Sequence, residues 1–200
     1  MQKIYQESLN PGIRHPCRND QGNWVTISQP TLPLPLSAFA DPAQLALMLP
    51  GGPAPAGLNG IAFQPWQTAP KTLAGWSQTE GQASLDEPPL KPKNGKKAAA
   101  GVVITEADGR IWLVAPTNGF GGYQATFPKG RLEPGLSLQA TAIKEAFEES
   151  GLQVEITGLI GDFERSLTLT HYYTTRRVGG LPTEMGWDRK PCCWRRSPGF

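Results

Sequence analysis

Up to about residue 92 the apolar positions keep neither a helical nor a strand period. The stretch LPLPLSAFADPAQLALMLPGGPAPAGLNG alternates Pro and Gly with small apolar residues, and most of the chain's 20 prolines precede residue 97. Long regular elements are therefore not expected there. Two short ones stand out: a strand over Trp24–Ser28, and a helix over Asp41–Met48 with Asp41 as N-cap and Pro42 in its first position. The segment TEGQASLDEPPLKPKNGKK, Thr79 to Lys97, is polar and broken by proline, which suits a linker and puts a boundary near Lys93. The pattern divides the chain into an N-terminal extension of little regular structure, 1–92, and a folded domain, 93–200.

From Ala98 the texture changes. AAAGVVIT and RIWLVAP are β-rich runs joined through Asp108 and Gly109, a hairpin signal. After the glycine-rich connection TNGFGGYQATFPKG, Ser137 is placed to cap a helix that reaches Ser150, and Gly151 to end it. On that helix Leu138, Ala142, Ile143, Ala146 and Phe147 cover one broad side, while Glu145, Glu148 and Glu149 gather on the other. LQVEITGLIGDF and SLTLTHYYTTRRV read as two further strands. The order β, β, α, β, β predicts a mixed α/β domain.

Composition narrows the function classes. An apolar content of 38% suits a globular core, and a formal net charge of +2 gives no reason to expect a nucleic-acid polymer or a membrane surface as partner. The N-terminal sixteen residues carry no apolar signal core, and no window approaches a membrane span, so the expected compartment is the cytoplasm. Cys17, Cys192 and Cys193 form neither a disulfide framework nor, with His15 and His171, a metal-type spacing, and free thiols are expected.

The candidate chemistry lies between Phe127 and Leu152, FPKGRLEPGLSLQATAIKEAFEESGL. A glycine loop leads directly into the helix, and Glu145, Glu148 and Glu149, at i, i+3 and i+4, share one helix face. Without a cation they repel. A hard divalent ion such as Mg²⁺, or Mn²⁺, relieves that repulsion and keeps coordination positions for water and phosphate. The bland alternative is a solvated acidic face, and the glycine loop at the right distance argues against it. Lys129 and Arg131 flank Gly130 and are candidates for contacting phosphate. Gly119 to Gly122 lack Walker or dinucleotide spacing and read as a flexible connection. His171, Tyr172 and Tyr173 read as core or sheet packing ahead of base stacking, and Glu184 is a candidate extra metal ligand.

This stretch resembles the Nudix hydrolase signature, which runs Gly, five residues, Glu, seven residues, Arg-Glu, aliphatic, any, Glu-Glu, any, Gly, aliphatic. Gly130, Glu145, Glu148, Glu149, Gly151 and Leu152 match it. Leu136 stands at the loop glutamate, Lys144 at the arginine and Ala146 at the aliphatic position. The resemblance implies a Nudix-type α/β/α sandwich around a mixed sheet, carrying a Pro/Gly-rich N-terminal extension. It implies hydrolysis of a phosphoanhydride bond in a nucleoside diphosphate linked to another group. It also implies a metal held by Glu145, Glu148, Glu149 and Gly130, catalytic roles for Glu145 and Lys144, and substrate contact by Lys129 and Arg131. Lys144 lacks the forked geometry of arginine, and Leu136 removes an anionic group, so weakened metal binding is expected. The alternative is a weak or inactive domain that binds a nucleotide or a protein. The PKGR loop resembles that of members acting on dinucleoside polyphosphates or inositol pyrophosphates.

After GLPTEMGW the resemblance leads one to expect a strand and a closing helix. The chain reads DRKPCCWRRSPGF instead, a composition unsuited to a folded element. With permitted codons, a one-base shift yields a strand-like run, so residues after Trp187 are expected to derive from truncation or an altered reading frame.

Overall fold

The structure, a computed structural model, describes residues 13–18, 21–27, 36–115, 125–184 and 192–196. The glycine run 119–122 and the side chains of Cys17, Cys192 and Cys193 lie outside what is described. In the N-terminal part, β1 (Ile13–Arg18) pairs antiparallel with β2 (Trp24–Ile27), where the sequence predicts a strand. The helix expected over Asp41–Met48 does not form. Asp41 caps only a turn: its carboxylate accepts the Ala43 N–H at 2.9 Å and its carbonyl the Gln44 N–H at 3.1 Å. The chain then enters β3 (Ala46–Met48), which buries Ala46 and Met48 by strand alternation. A minimal hairpin follows, β4 (Gly57–Leu58) with β5 (Ile61–Ala62), and then the short helix α1 (Leu73–Ser77), capped by Thr72.

The domain's hairpin forms as the sequence predicts. β6 (Lys97–Thr105) and β7 (Arg110–Val114) pair antiparallel through Ile104 with Trp112 and Thr105 with Ile111. The short β8 (Lys129–Arg131) pairs with β6, setting Gly130 opposite Ala100. Helix α2 (Leu138–Ser150) starts at Ser137, whose hydroxyl accepts the Ala140 N–H at 3.0 Å. It ends at Gly151, whose φ of 70° is left-handed. A side chain on Gly151 would also meet the Leu181 carbonyl at 2.5 Å. Then β9 (Leu152–Glu164) and β10 (Thr168–Gly180) form an antiparallel pair, and β10 runs parallel to β6.

Among the described residues the sheet has seven strands in the order β3, β11 (Cys192–Arg196), β7, β6, β10, β9, with β8 on β6. Its last member, β11, pairs with both β7 and β3. The composition of the tail argued against any folded element there. Strand pairing uses main-chain groups, which composition does not report. The sheet is mixed, with α2 across one face, the α/β arrangement expected; among the described residues both α-helices lie together, joined through Trp76 and Phe147.

The N-terminal segment supplies much of the core. Phe39, Met48, Phe63, Trp66 and Trp76 share one buried cluster with Val102, Ile104, Trp112, Ile143 and Tyr173. The Trp66 ring meets Phe147 of α2 edge-on at 5.3 Å and Trp76 at 5.8 Å. Between Thr79 and Asn94 there is neither helix nor strand, yet this stretch is fastened rather than free. Gly81 O accepts the Ile156 N–H at 2.8 Å, and the Gln139 side-chain amide holds both the N–H (2.7 Å) and the carbonyl (2.9 Å) of Ala83. The Tyr173 hydroxyl donates to Glu87 at 2.6 Å.

One buried charge network joins the two parts. The Arg177 side chain has 0% exposure and Glu106 1%, with Nε to Oε1 at 2.5 Å. Arg177 also donates to the Leu58 carbonyl at 2.7 Å and the Ile61 carbonyl at 3.3 Å. Glu106 further accepts from Trp112 Nε1 at 2.8 Å and Asn59 Nδ2 at 3.0 Å.

Truncation before Ala98 is expected to strip Trp66 and Trp76 from α2 and to yield a chain without fixed packing, seen as lost near-UV circular dichroism and dye binding. Glu106→Gln leaves the arginine charge buried without its counter-ion and is expected to cost about 3–5 kcal/mol, read from urea unfolding.

Candidate active site

The α2 face carrying the glutamates lies against β8. Gly130 turns its missing side chain towards α2: a Cβ there would overlap the Glu145 carboxylate. Glycine at this position thus lets the Glu145 carboxylate occupy the space a methyl group would fill. One turn on, Glu149 is 4% exposed and accepts the Lys129 N–H at 3.1 Å. Strand alternation sends the side chains of Lys129 and Arg131 off β8 on the side away from Gly130. Lys129 therefore reaches the glutamate face with its backbone, while Arg131 is exposed.

Lys144 lies between two carboxylates. Its Nζ is 2.7 Å from Glu133 Oε1 and 2.7 Å from Glu148 Oε2, and the side chain is 13% exposed. Burial works against its charge, but the hydrogen bonds and charges of Glu133 and Glu148 outweigh it and raise its pKa above the ordinary lysine value. The lysine is expected from the sequence to supply charge beside Glu145; in the structure it pairs with Glu148 and with Glu133 of the loop. Glu133 was not singled out in the sequence. The available signal was a carboxylate in the same loop, three positions before Leu136. Leu136 itself is 8% exposed and belongs to the core cluster.

The remaining candidates fall elsewhere. His171 is fully buried, with Nδ1 2.5 Å from Asp162 and Nε2 3.7 Å from Glu87. Tyr173 is buried beside it, and that burial, with the Glu87 hydrogen bond and charge, pushes its phenol far above the ordinary range, so it remains a donor to Glu87. Tyr172 sits edge-on between Phe127 at 6.1 Å and Phe163 at 5.7 Å. These three residues pack the sheet, as their strand alternation predicts. Glu184 is exposed on a 3-10 turn, Pro182–Glu184. Among the described residues no helix is long and apolar enough to cross a membrane.

Among the described residues no three His, Cys, Asp or Glu side chains are gathered into a finished metal-binding group. The donor chemistry nevertheless fits a hard divalent ion: Glu145, Glu148 and Glu149 offer carboxylate oxygens from one face of α2, the Glu145 carboxylate fills the space left by Gly130, and Glu148 already holds a cation, the Lys144 ammonium.

The sequence model of the NUDIX domain matches residues 95–189. Among solved structures, a NUDIX hydrolase from Nitrosomonas europaea is 19% identical, with a TM-score of 0.43 over 54% of this chain and 62% of that one. An ADP-ribose pyrophosphatase from Streptococcus suis is 20% identical, with a TM-score of 0.38 over 48% of this chain and 70% of that one. A UDP-X diphosphatase is 17% identical, with a TM-score of 0.40 over 52% of this chain and 53% of that one. The chain thus spans 62% of the first of these structures. Residues 95–189 thus match the NUDIX domain, and the mixed sheet whose glycine loop feeds a glutamate-bearing helix is in keeping with that match.

Proposed function

We propose that the α2 face is the active site of a metal-dependent hydrolase that cleaves a phosphoanhydride bond in a nucleoside diphosphate linked to another group. The observation that carries this reading is the seating of Glu145 over Gly130 with Glu149 bound to the Lys129 N–H beside it. That seating holds two carboxylates of one helix at the end of the glycine loop.

In this reading Glu145, Glu148 and Glu149 hold Mg²⁺ or Mn²⁺. When bound, the ion neutralises phosphate charge and acidifies water. Glu145 takes the proton of the attacking water, held in place by the packing of its carboxylate on Gly130. Lys129 contributes its backbone N–H to Glu149, while the side chains of Lys129 and Arg131, the sequence candidates for phosphate contact, leave β8 on the side away from the glutamates. The residues before 95 act as a cover for the domain, through Trp66, Trp76 and the Gln139 clamp. A second reading, nucleotide binding without turnover, draws support from one observation: the Lys144 ammonium engages Glu148, one of the three proposed ligands.

The deciding experiment measures phosphate or nucleotide release across nucleoside triphosphates, ADP-ribose, dinucleotides and dinucleoside polyphosphates, with and without Mg²⁺ or Mn²⁺. Metal-dependent release is expected, and Glu149→Gln is expected to abolish that release while still accepting the Lys129 N–H. Nucleotide binding without release, in a sample that melts cooperatively, would establish the second reading instead. Glu145→Gln is expected to lower kcat by about 10²–10⁴-fold. Gly130→Ala is expected to leave the melting temperature nearly unchanged, because the displaced atoms are the tip of a flexible side chain, yet to cut turnover as severely as Glu145→Gln.

A further inference from the structure

Glu133 has no place in the family signature, and the loop that carries it is pinned on both sides. The Leu132 N–H donates to the Ala98 carbonyl at 3.0 Å, tying the loop to β6, and the Leu136 N–H donates to the Glu133 carbonyl at 3.1 Å, closing a turn. Leu136 then enters the core with 8% exposure. The leucine at the signature's glutamate position thus anchors the loop that presents a different carboxylate, Glu133, to α2.

The Lys144 ammonium is a compact charge with three donors and can serve two separate carboxylates, where an arginine would present one planar fork. It does so at 2.7 Å to each of Glu133 and Glu148. Were Glu133 absent, of these two carboxylates only Glu148 would remain on that ammonium. Any divalent ion would then have to take Glu148 from a half-buried lysine left without a counter-charge, which is costly.

We propose that Glu133 is a positioning residue for the carboxylate face. Acting through Lys144, it sets where the Glu148 carboxylate lies, and it keeps the ammonium neutralised when Glu148 turns to a divalent cation. This deepens the metal-dependent reading above and rests on it. It also explains how the chain combines a lysine at the arginine position with a leucine at the loop glutamate.

The test uses the full chain and two cycles of variants. In the first, Mn²⁺ binding is titrated by electron paramagnetic resonance for wild type, Glu133→Gln, Lys144→Met and the double variant. Glu133→Gln is expected to weaken Mn²⁺ binding about 10- to 100-fold, the range for a residue behind the ligands, and to cause no further loss once Lys144 is Met. An equal loss in both backgrounds would make Glu133 a direct partner of the ion and overturn the proposal, as would no loss at all. In the second cycle, metal-free melting temperatures are compared for Glu133→Gln, Glu148→Gln and their combination. Non-additive shifts are expected because both act on one ammonium; additive shifts overturn the proposal. If the wild type binds no Mn²⁺, the metal-dependent reading fails and the second cycle alone decides whether Glu133 and Glu148 are coupled through Lys144.

Discussion

Burying an arginine is tolerable only where its donors find acceptors in the dry interior and its charge finds an opposite one. Arg177 meets that condition with groups from three places: the Glu106 carboxylate just after β6, the Leu58 and Ile61 carbonyls of the β4–β5 hairpin, and, through Glu106, the Trp112 indole of β7 and the Asn59 amide of the same hairpin. Two of those acceptors belong to the N-terminal segment. Consequently the arginine of β10 is fully satisfied in the sheet only with the Pro/Gly-rich segment in place. The segment has little regular structure because its task is to offer backbone carbonyls and aromatic rings at particular points, which irregular chain does as well as helix or strand.

The same dependence runs through the strap between Gly81 and Glu87. Gln139 lies on α2 and binds both main-chain groups of Ala83 as a strand neighbour would. Tyr173, on β10, fixes Glu87. Helix, sheet and strap are therefore tied by polar groups with few alternative partners, while the Trp66, Trp76 and Phe147 rings supply the apolar burial. The helix can present glutamates on one side because its other side is held so firmly, and a rigid support is what a constellation of carboxylates requires.

At the glutamate face, geometry gives the signature's departures a meaning that the motif alone withholds. Leucine at a position reserved for a carboxylate reads as a loss. In the fold it is a core anchor, and the charge it lacks is carried three residues earlier by Glu133. Lysine for arginine reads as a looser clamp. In the fold it is a charge shared between a loop and the same helix. Both substitutions follow from one arrangement, in which two single-point contacts replace a forked one.

What the sequence determined by itself was local. The hairpin through Asp108 and Gly109, the helix from its Ser137 cap to Gly151, the strands β9 and β10 and the common face of Glu145, Glu148 and Glu149 all follow from turn chemistry, capping and periodicity, which act over a few residues. The Gly130 requirement was legible as a motif position but not as a space filled by Glu145. What only the tertiary structure decided was non-local. Asp41–Met48 became a turn and a strand because β11, about 145 residues away along the chain by simple spacing, offers ladder partners that outweigh a weak helical preference. The linker-like stretch became a strap because Gln139 and Tyr173 bind it. Lys144 found Glu133 because Leu136 had a core to enter. Each of these depends on which distant group arrives with a free acceptor or an apolar surface, and a chain read in order carries no measure of that.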